Sequence, residues 1–288
     1  MKYFLSRAAF ILVSTVAFVS GWMLINEDQY IYFPDREIYH TPKTVGLEFQ
    51  DIQLTTDDGI VLHGWLMPHP EARFTLLHFH GNAGNISHRL HLYEQWHRMG
   101  LSVLAMSYRG YGKSEGAPSE KGFYSDARAA WRELVQRQKI PSSQIIIVGR
   151  SMGCAVATKL ATNISTEAKP AALVLETPFT NIPDMATEHY PWMVPIRFLA
   201  QTQFDTLENI GRVHVPVMVI SAENDELVPA DMSRKIYAVA NRPKQWIALP
   251  GMHNDFDISS SSTYTRAWNR WLNQLDGSVS FETDGSSD

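Results

Sequence analysis

Six short, almost continuously apolar runs constrain this chain more than any other feature: residues 74–79, 101–106, 145–148, 171–175, 217–220 and 245–249. Strands that read this way are buried on both faces, the condition of a parallel sheet covered by helices on either side. Helical patterning fills the gaps, at about 86–99, 120–139, 152–163, 230–239 and 264–275. In the second of these, Phe123, Ala127, Ala130, Trp131 and Leu134 recur at three- and four-residue steps, so one face is apolar. Two earlier segments, 47–55 and 60–67, are joined through Asp57-Asp58-Gly59, a hairpin signal that predicts an antiparallel start. Strand and helix then alternate, which implies right-handed crossovers and an α/β fold with a mostly parallel, doubly wound, eight-stranded sheet.

The 288 residues suffice for one large domain, placed at 47–275, with appendages. A formal net charge of -5 without a basic stripe gives no nucleic-acid footprint. Cys154 is the only cysteine, so an intramolecular disulfide and a CxxC site are both excluded. Residues 8–25 carry no charge, follow Lys2 and Arg7, and precede Glu27 and Asp28. As a helix they would extend roughly 27 Å, close to the thickness of a hydrocarbon core. A single-pass anchor over 1–25 is therefore expected, with the N-terminus cytoplasmic and the remainder of the chain on the opposite, extracytoplasmic side. A cleaved signal peptide is the alternative, although no A-x-A site is present. Residues 26–46 read as a connector with turn chemistry at Pro34, Asp35, Pro42 and Gly46.

The interval 177–215 is too long for a simple crossover and carries Phe179, Tyr190, Trp192, Met193, Phe198 and Phe204. It predicts a short cap over a pocket; a crossover helix with ordinary core aromatics is the alternative. Residues 276–288, rich in Gly, Ser and acid, read as a disordered tail.

The sharpest chemical signal is Gly149-Arg150-Ser151-Met152-Gly153, directly after the apolar strand 145–148 and directly before a helical pattern. This is a G-x-S-x-G nucleophile elbow in the context that gives it meaning. The hydroxyl must project into a cleft while the backbone turns sharply, and the crowding demands glycine on both sides. The helix that begins there aims N–H groups at a developing oxyanion. His80-Gly81-Asn82-Ala83-Gly84-Asn85 ends the strand 74–79 and would supply a second donor, which makes the N–H groups of Asn82 and Met152 the expected pair.

A serine of ordinary pKa needs a base, and the base an acid to fix its tautomer. His253 follows the run 245–249 and is the only histidine after His214, which precedes a strand and would sit at its wrong end. Asp225 follows the run 217–220; Glu223, Glu226 and Glu176 are its competitors, the last at the end of the preceding strand. Ser151, Asp225 and His253 all lie just past carboxyl ends of strands, where a doubly wound sheet gathers its site. His78 and His80 share a strand face, and His88 and His91 are one helical turn apart, yet no HExxH or carboxylate partner accompanies them in the sequence, so no metal or cofactor is implied. The loop 108–114 is rich in glycine but lacks phosphate-loop spacing and is expected to buttress the site. Cys154 reads as a small apolar filler.

With these residues in view the chain resembles the α/β-hydrolase superfamily, and more narrowly its membrane-anchored bud-emergence-type and α/β-hydrolase domain-containing branch. The likeness runs from about Tyr32 to Leu275. It rests on HGNAGN at 80–85, YRGYGKSEG at 108–116, GRSMG at 149–153, Asp225-Glu226-Leu227-Val228-Pro229 and Gly251-Met252-His253. The resemblance implies the α/β-hydrolase fold, an N-terminal anchor, a short cap, and esterase, thioesterase or lipase-like activity on a small-molecule or lipid-like acyl substrate. A serine peptidase of the aminopeptidase kind, or a scaffold that has lost catalysis, are the alternatives. One departure is that Ser221-Ala222-Glu223 stands where the family more usually has His-Gly before the acid.

Overall fold

The computed structural model describes residues 2–164, 168–191, 199–277 and 281. The strands are β1 (Gln50–Thr55), β2 (Val61–Met67), β3 (Thr75–Phe79), β4 (Ser102–Met106), β5 (Ile145–Arg150), β6 (Ala172–Glu176), β7 (Val217–Ala222) and β8 (Lys244–Leu249). They form one sheet in the order β1-β2-β4-β3-β5-β6-β7-β8. β2 is antiparallel to both β1 and β4, and every pair from β4 to β8 is parallel. The hairpin turn between β1 and β2 places Gly59 at φ 81, a left-handed position that glycine occupies without a Cβ clash.

The helices are α1 (Lys2–Ile25), α2 (Glu27–Ile31), α3 (Leu90–Arg98), α4 (Glu120–Arg132), α5 (Met152–Ile164), α6 (Ile182–His189), α7 (Thr206–Ile210), α8 (Ala230–Val239), α9 (Phe256–Ser259) and α10 (Ser261–Leu275). The central strands read as unbroken apolar runs because each face has its own core. Ile145 and Ile147 of β5 pack with α4 and α5 on one side; Ile146 and Val148 pack with α3 and α10 on the other. That is the two-residue period of a strand expressed on two buried faces. Trp268, Trp271 and Leu272 close the second core, and each fully buried side chain of this size contributes on the order of 1.5–3 kcal/mol.

Several boundaries differ from the sequence reading, each for a local reason. The helix expected at 86–99 opens with a tighter turn, Ile86–Arg89, because the Asn85 side chain accepts from the Ser87 N–H at 2.9 Å and sets a different entry. α4 gives way after Arg132 to a wider turn over Glu133–Arg137. The connector contains α2 and packs on the domain rather than merely linking to it. Within 177–215, α6 stands near the carboxyl ends of the strands while α7 packs against α5 and α8 as part of an ordinary crossover. Residues 192–198, including Trp192, Met193 and Phe198, lie outside the described residues, as does most of the tail; Phe281 sits edge-on to Trp271 at 5.4 Å. α1 is a continuous 24-residue helix, although the side chains of several of its residues lie outside the described set. Among the described residues no helix is long and apolar enough to cross a membrane.

Candidate active site

Strand β5 ends at the elbow. β5 finishes at Arg150, α5 begins at Met152, and Ser151 between them holds φ 52, a left-handed backbone that costs a residue with a Cβ of the order of 1–3 kcal/mol. The turn is fastened by the Ser151 N–H, which donates to the Glu176 carbonyl at 2.8 Å, and by the Cys154 N–H, which donates to the Ser151 carbonyl at 2.9 Å. A Cβ on Gly149 would strike the Gly153 carbonyl, and one on Gly153 would strike the Phe79 carbonyl. The glycines are thus required by close approach of helix to strand. Cys154 is buried, with Sγ against the Gly149 and Glu176 carbonyls at 3.1 and 3.2 Å.

Asp225 lies in the loop after β7 and His253 in the loop after β8, and the parallel pairing of those strands brings the two loops together. His253 Nδ1 is 2.8 Å from Asp225 Oδ2, with the two side chains only 5% and 2% exposed. Asp225 Oδ1 accepts from the Leu227 and Val228 N–H groups at 2.9 and 2.7 Å, so the carboxylate is fixed before it meets the imidazole. The His253 N–H donates to Glu226 Oε2 at 3.0 Å, which fixes the backbone of the same residue. A proton on Nδ1, shared with the carboxylate, leaves Nε2 as the free base. Ser151 and His253 line the same cavity, although Ser151 Oγ makes no hydrogen bond to the ring. Such contacts are often long without substrate and tighten when it binds.

Of the competing acids, Glu223 donates its main-chain N–H to the Leu249 carbonyl at 2.8 Å, and its side chain has no partner among the described residues. Glu176 points into the core, where Tyr264 Oη donates to it at 2.6 Å.

The loop after β3 leaves the N–H of Asn82 without a main-chain acceptor among the described residues, and that of Met152 is equally free. The Asn82 side chain is engaged elsewhere. Its Oδ1 accepts from the Phe33 N–H at 3.2 Å and from Tyr111 Oη at 3.0 Å, while its amide donates to the Ile31 carbonyl. His80 Nδ1 donates to the Gly81 carbonyl at 2.7 Å; burial first, then Arg89, holds its pKa down at about 3, so the ring stays neutral. Tyr108 Oη donates to the His80 carbonyl at 3.0 Å, and its ring stacks on Phe123 at 4.2 Å. The loop 108–114 therefore does buttress the site.

Sequence reasoning missed two parts of this arrangement. A cavity of about 450 Å³ opens at Ser151 and His253, and its apolar walls come from Met23 and Leu24 of α1, Ile31 of α2, Phe179, and Met185 and Ala186 of α6. The supposed connector is thus a wall of the site, fastened by Glu27, whose carboxylate accepts from the Gln201 and Thr202 N–H groups at 3.0 and 2.7 Å. The second part is a buried floor: Arg150 donates to Asp257 Oδ1 at 2.9 Å, while His91 Nε2 meets Asp257 Oδ2 at 3.1 Å. Burial would raise the Asp257 pKa, but His91 and Arg150 outweigh it and hold the carboxyl at about 2. Arg150 also reaches the His253 carbonyl at 3.4 Å. His91 thus has a carboxylate partner that its sequence neighbourhood did not reveal. Among the described residues no group of three His, Cys, Asp or Glu is placed to hold a metal.

A family model described as Serine aminopeptidase, S33 matches residues 70–201. An Arabidopsis thaliana protein named as α/β-hydrolase domain-containing is 37% identical and covers 78% of each chain. The chain belongs to the α/β-hydrolase superfamily. A Danio rerio member named lysophosphatidylserine lipase is 35% identical over 65% of this chain and 52% of its own. Among solved structures, an esterase of Pyrococcus furiosus shares the fold with a TM-score of 0.68 at 21% identity, covering 85% of this chain and 98% of its own. The eight strands of this α/β-hydrolase form the single, mostly parallel sheet that the superfamily implies.

Proposed function

We propose that this α/β-hydrolase cleaves a carboxylic ester or thioester through an acyl-enzyme, with Ser151 as nucleophile, His253 as base and Asp225 as the acid that orients it. The observation that carries the reading is the 2.8 Å Asp225–His253 pair, whose histidine lines the same cavity as Ser151. Nε2 of His253 takes the hydroxyl proton as Oγ bonds the acyl carbon. The oxyanion rests on the N–H groups of Asn82 and Met152, each such donor contributing roughly 2.7–4 kcal/mol to the transition state. Collapse breaks the bond to the leaving group, which carries that proton away, and water releases the acyl group by the same steps.

The apolar lining favours a hydrocarbon acyl chain, and the name of the Danio rerio relative records a lipid ester. A cap role for 177–215 accords with the contribution of α6 to that lining. The run 8–25 would hold the chain at a membrane, with the hydrolase domain on the extracytoplasmic side, a topology that a reporter fused to the C-terminus would decide. An aminopeptidase reading is less favoured, because it needs a carboxylate for the substrate ammonium, and Glu27, the one acid lining the cavity among the described residues, is engaged by two main-chain N–H groups.

The test is fluorophosphonate labelling and p-nitrophenyl ester hydrolysis by the full chain. Ser151→Ala should abolish both; a mutant that keeps both overturns the assignment.

A further inference from the structure

Ser151 and His253 face one cavity without a hydrogen bond between them, so the gap from nucleophile to base is set by whatever holds each loop. Two anchors of His253 come from the loop after β7: Asp225 Oδ2 lies 2.8 Å from Nδ1, and Glu226 Oε2 accepts the main-chain N–H at 3.0 Å. They fix the imidazole relative to that loop and leave its distance from the elbow open. Arg150, the residue before Ser151, supplies a link from the elbow itself. One of its terminal nitrogens donates to Asp257 Oδ1 at 2.9 Å and reaches the His253 carbonyl at 3.4 Å. Its guanidinium carbon stands 4.5 Å from the centroid of the Phe256 ring, within cation–π range. The base's own loop and the start of α9 thus close on a side chain whose next neighbour along the chain is the nucleophile. Arg150 and Asp257 are both buried, and His91 Nε2 meets the other oxygen of Asp257 at 3.1 Å, so the carboxylate is held from two sides. A buried ion pair is weak ground for stability, since apolar residues of similar volume often serve as well. The placement of this one beside the triad calls for another account.

We propose that Arg150 and Asp257 are positioning residues for catalysis, which together tie the segment 253–257 to the nucleophile elbow and set the approach of His253 to Ser151. The inference rests on the triad reading above. Asp257 fixes the guanidinium by charge and by hydrogen bond, and the guanidinium fixes the main chain of His253. The imidazole, oriented by Asp225, then meets the hydroxyl at the distance that proton transfer needs. Neither residue touches the reacting atoms. A displacement of about 1 Å at the reacting groups can cost about 100-fold in rate, so a modest slackening of the tie is enough to be read in kcat. Arg150 does not line the apolar cavity, so binding of the acyl chain should not follow it.

The test replaces the pair by apolar residues in the full chain, Arg150→Met together with Asp257→Leu, which removes both charges and leaves neither buried alone. Urea unfolding should show stability equal to the parent's or higher. In the same variant kcat for p-nitrophenyl butyrate and the rate of fluorophosphonate labelling should both fall about 10- to 100-fold, with KM within about twofold of the parent's. A merely structural pair predicts the reverse: a folded variant with parental kcat overturns the proposal, as does a loss carried by KM alone. Arg150→Lys separates charge from reach. Its ammonium keeps the pairing with Asp257 but lacks the fork that also meets the His253 carbonyl, so stability should hold while kcat drops below the parent's. Full kcat in Arg150→Lys would overturn the tie, and that variant decides alone should the double one fail to fold. Should the parent itself hydrolyse no ester and take no label, the triad reading falls, and hydrogen exchange decides the tie. Amides of 250–257 should then exchange about tenfold or more faster in the double variant at unchanged global stability; unchanged exchange refutes the proposal.

Discussion

Replacing Glu176 by Gln separates structure from chemistry at this site. Glu176 is fully buried at the end of β6, with one carboxylate oxygen bonded by Tyr264. Burial raises its pKa from 4.5 to about 7, against the pull of Arg150. Between those two values the folded state holds a proton that the unfolded chain has released. The associated stability is therefore full below about pH 4.5 and is lost as pH rises through about 7. At about 1.36 kcal/mol per pH unit, the gap corresponds to about 3 kcal/mol. Gln keeps an acceptor for Tyr264 and has no proton to lose. The stability of Glu176→Gln relative to the parent should therefore climb by about that amount from low pH to pH 8, then level off. Urea unfolding of both proteins, followed by tryptophan fluorescence across this range, reads the difference directly, and other titrating groups cancel. A flat difference would refute the account of Glu176 as a buried acid protonated below neutrality. The same variant bears on catalysis, since Glu176 was the strand-end rival to Asp225. Ester hydrolysis should survive in Glu176→Gln, whereas Asp225→Asn, which favours the wrong imidazole tautomer, should lower kcat by roughly three to four orders of magnitude. The opposite pattern would transfer the orienting role to Glu176.

Two further outcomes concern the walls. Asn82→Ala removes the clamp on Ile31, Phe33 and Tyr111, and should cost about 1–3 kcal/mol in urea unfolding while lowering kcat through a loosened oxyanion loop; unchanged values of both would count against the clamp. Ala186→Trp narrows the apolar cavity, so in a p-nitrophenyl chain-length series the ratio of decanoyl to butyryl kcat/KM should fall about tenfold or more; an equal loss at every length would remove Ala186 from the acyl path.

The elbow was legible because its causes are local: a run buried on both faces, a helix one residue later, and glycines where strand and helix nearly touch. That Asp225 and His253 would meet was legible for a topological reason, since parallel strands deliver their following loops to one rim. What stayed hidden depends on partners far apart in sequence. Nothing near His91 foretells Asp257, and the floor formed with Arg150 exists only because α3, α9 and the end of β5 meet behind the site. The 26–46 segment has no clear periodicity, and its helical turn is held by Asn82 and by the main chain of 201–202.

This division follows function. The groups assigned to bond making and breaking sit at strand ends, where the fold itself fixes their geometry and a short motif suffices to mark them. The surfaces that would discriminate between substrates come from α1, α2 and α6, which are joined to the rest of the domain by side-chain packing and, at α2, by long-range hydrogen bonds. Such surfaces can be exchanged without disturbing the strand ends, so a chain of this superfamily declares its reaction in its motifs and its substrate only in three dimensions.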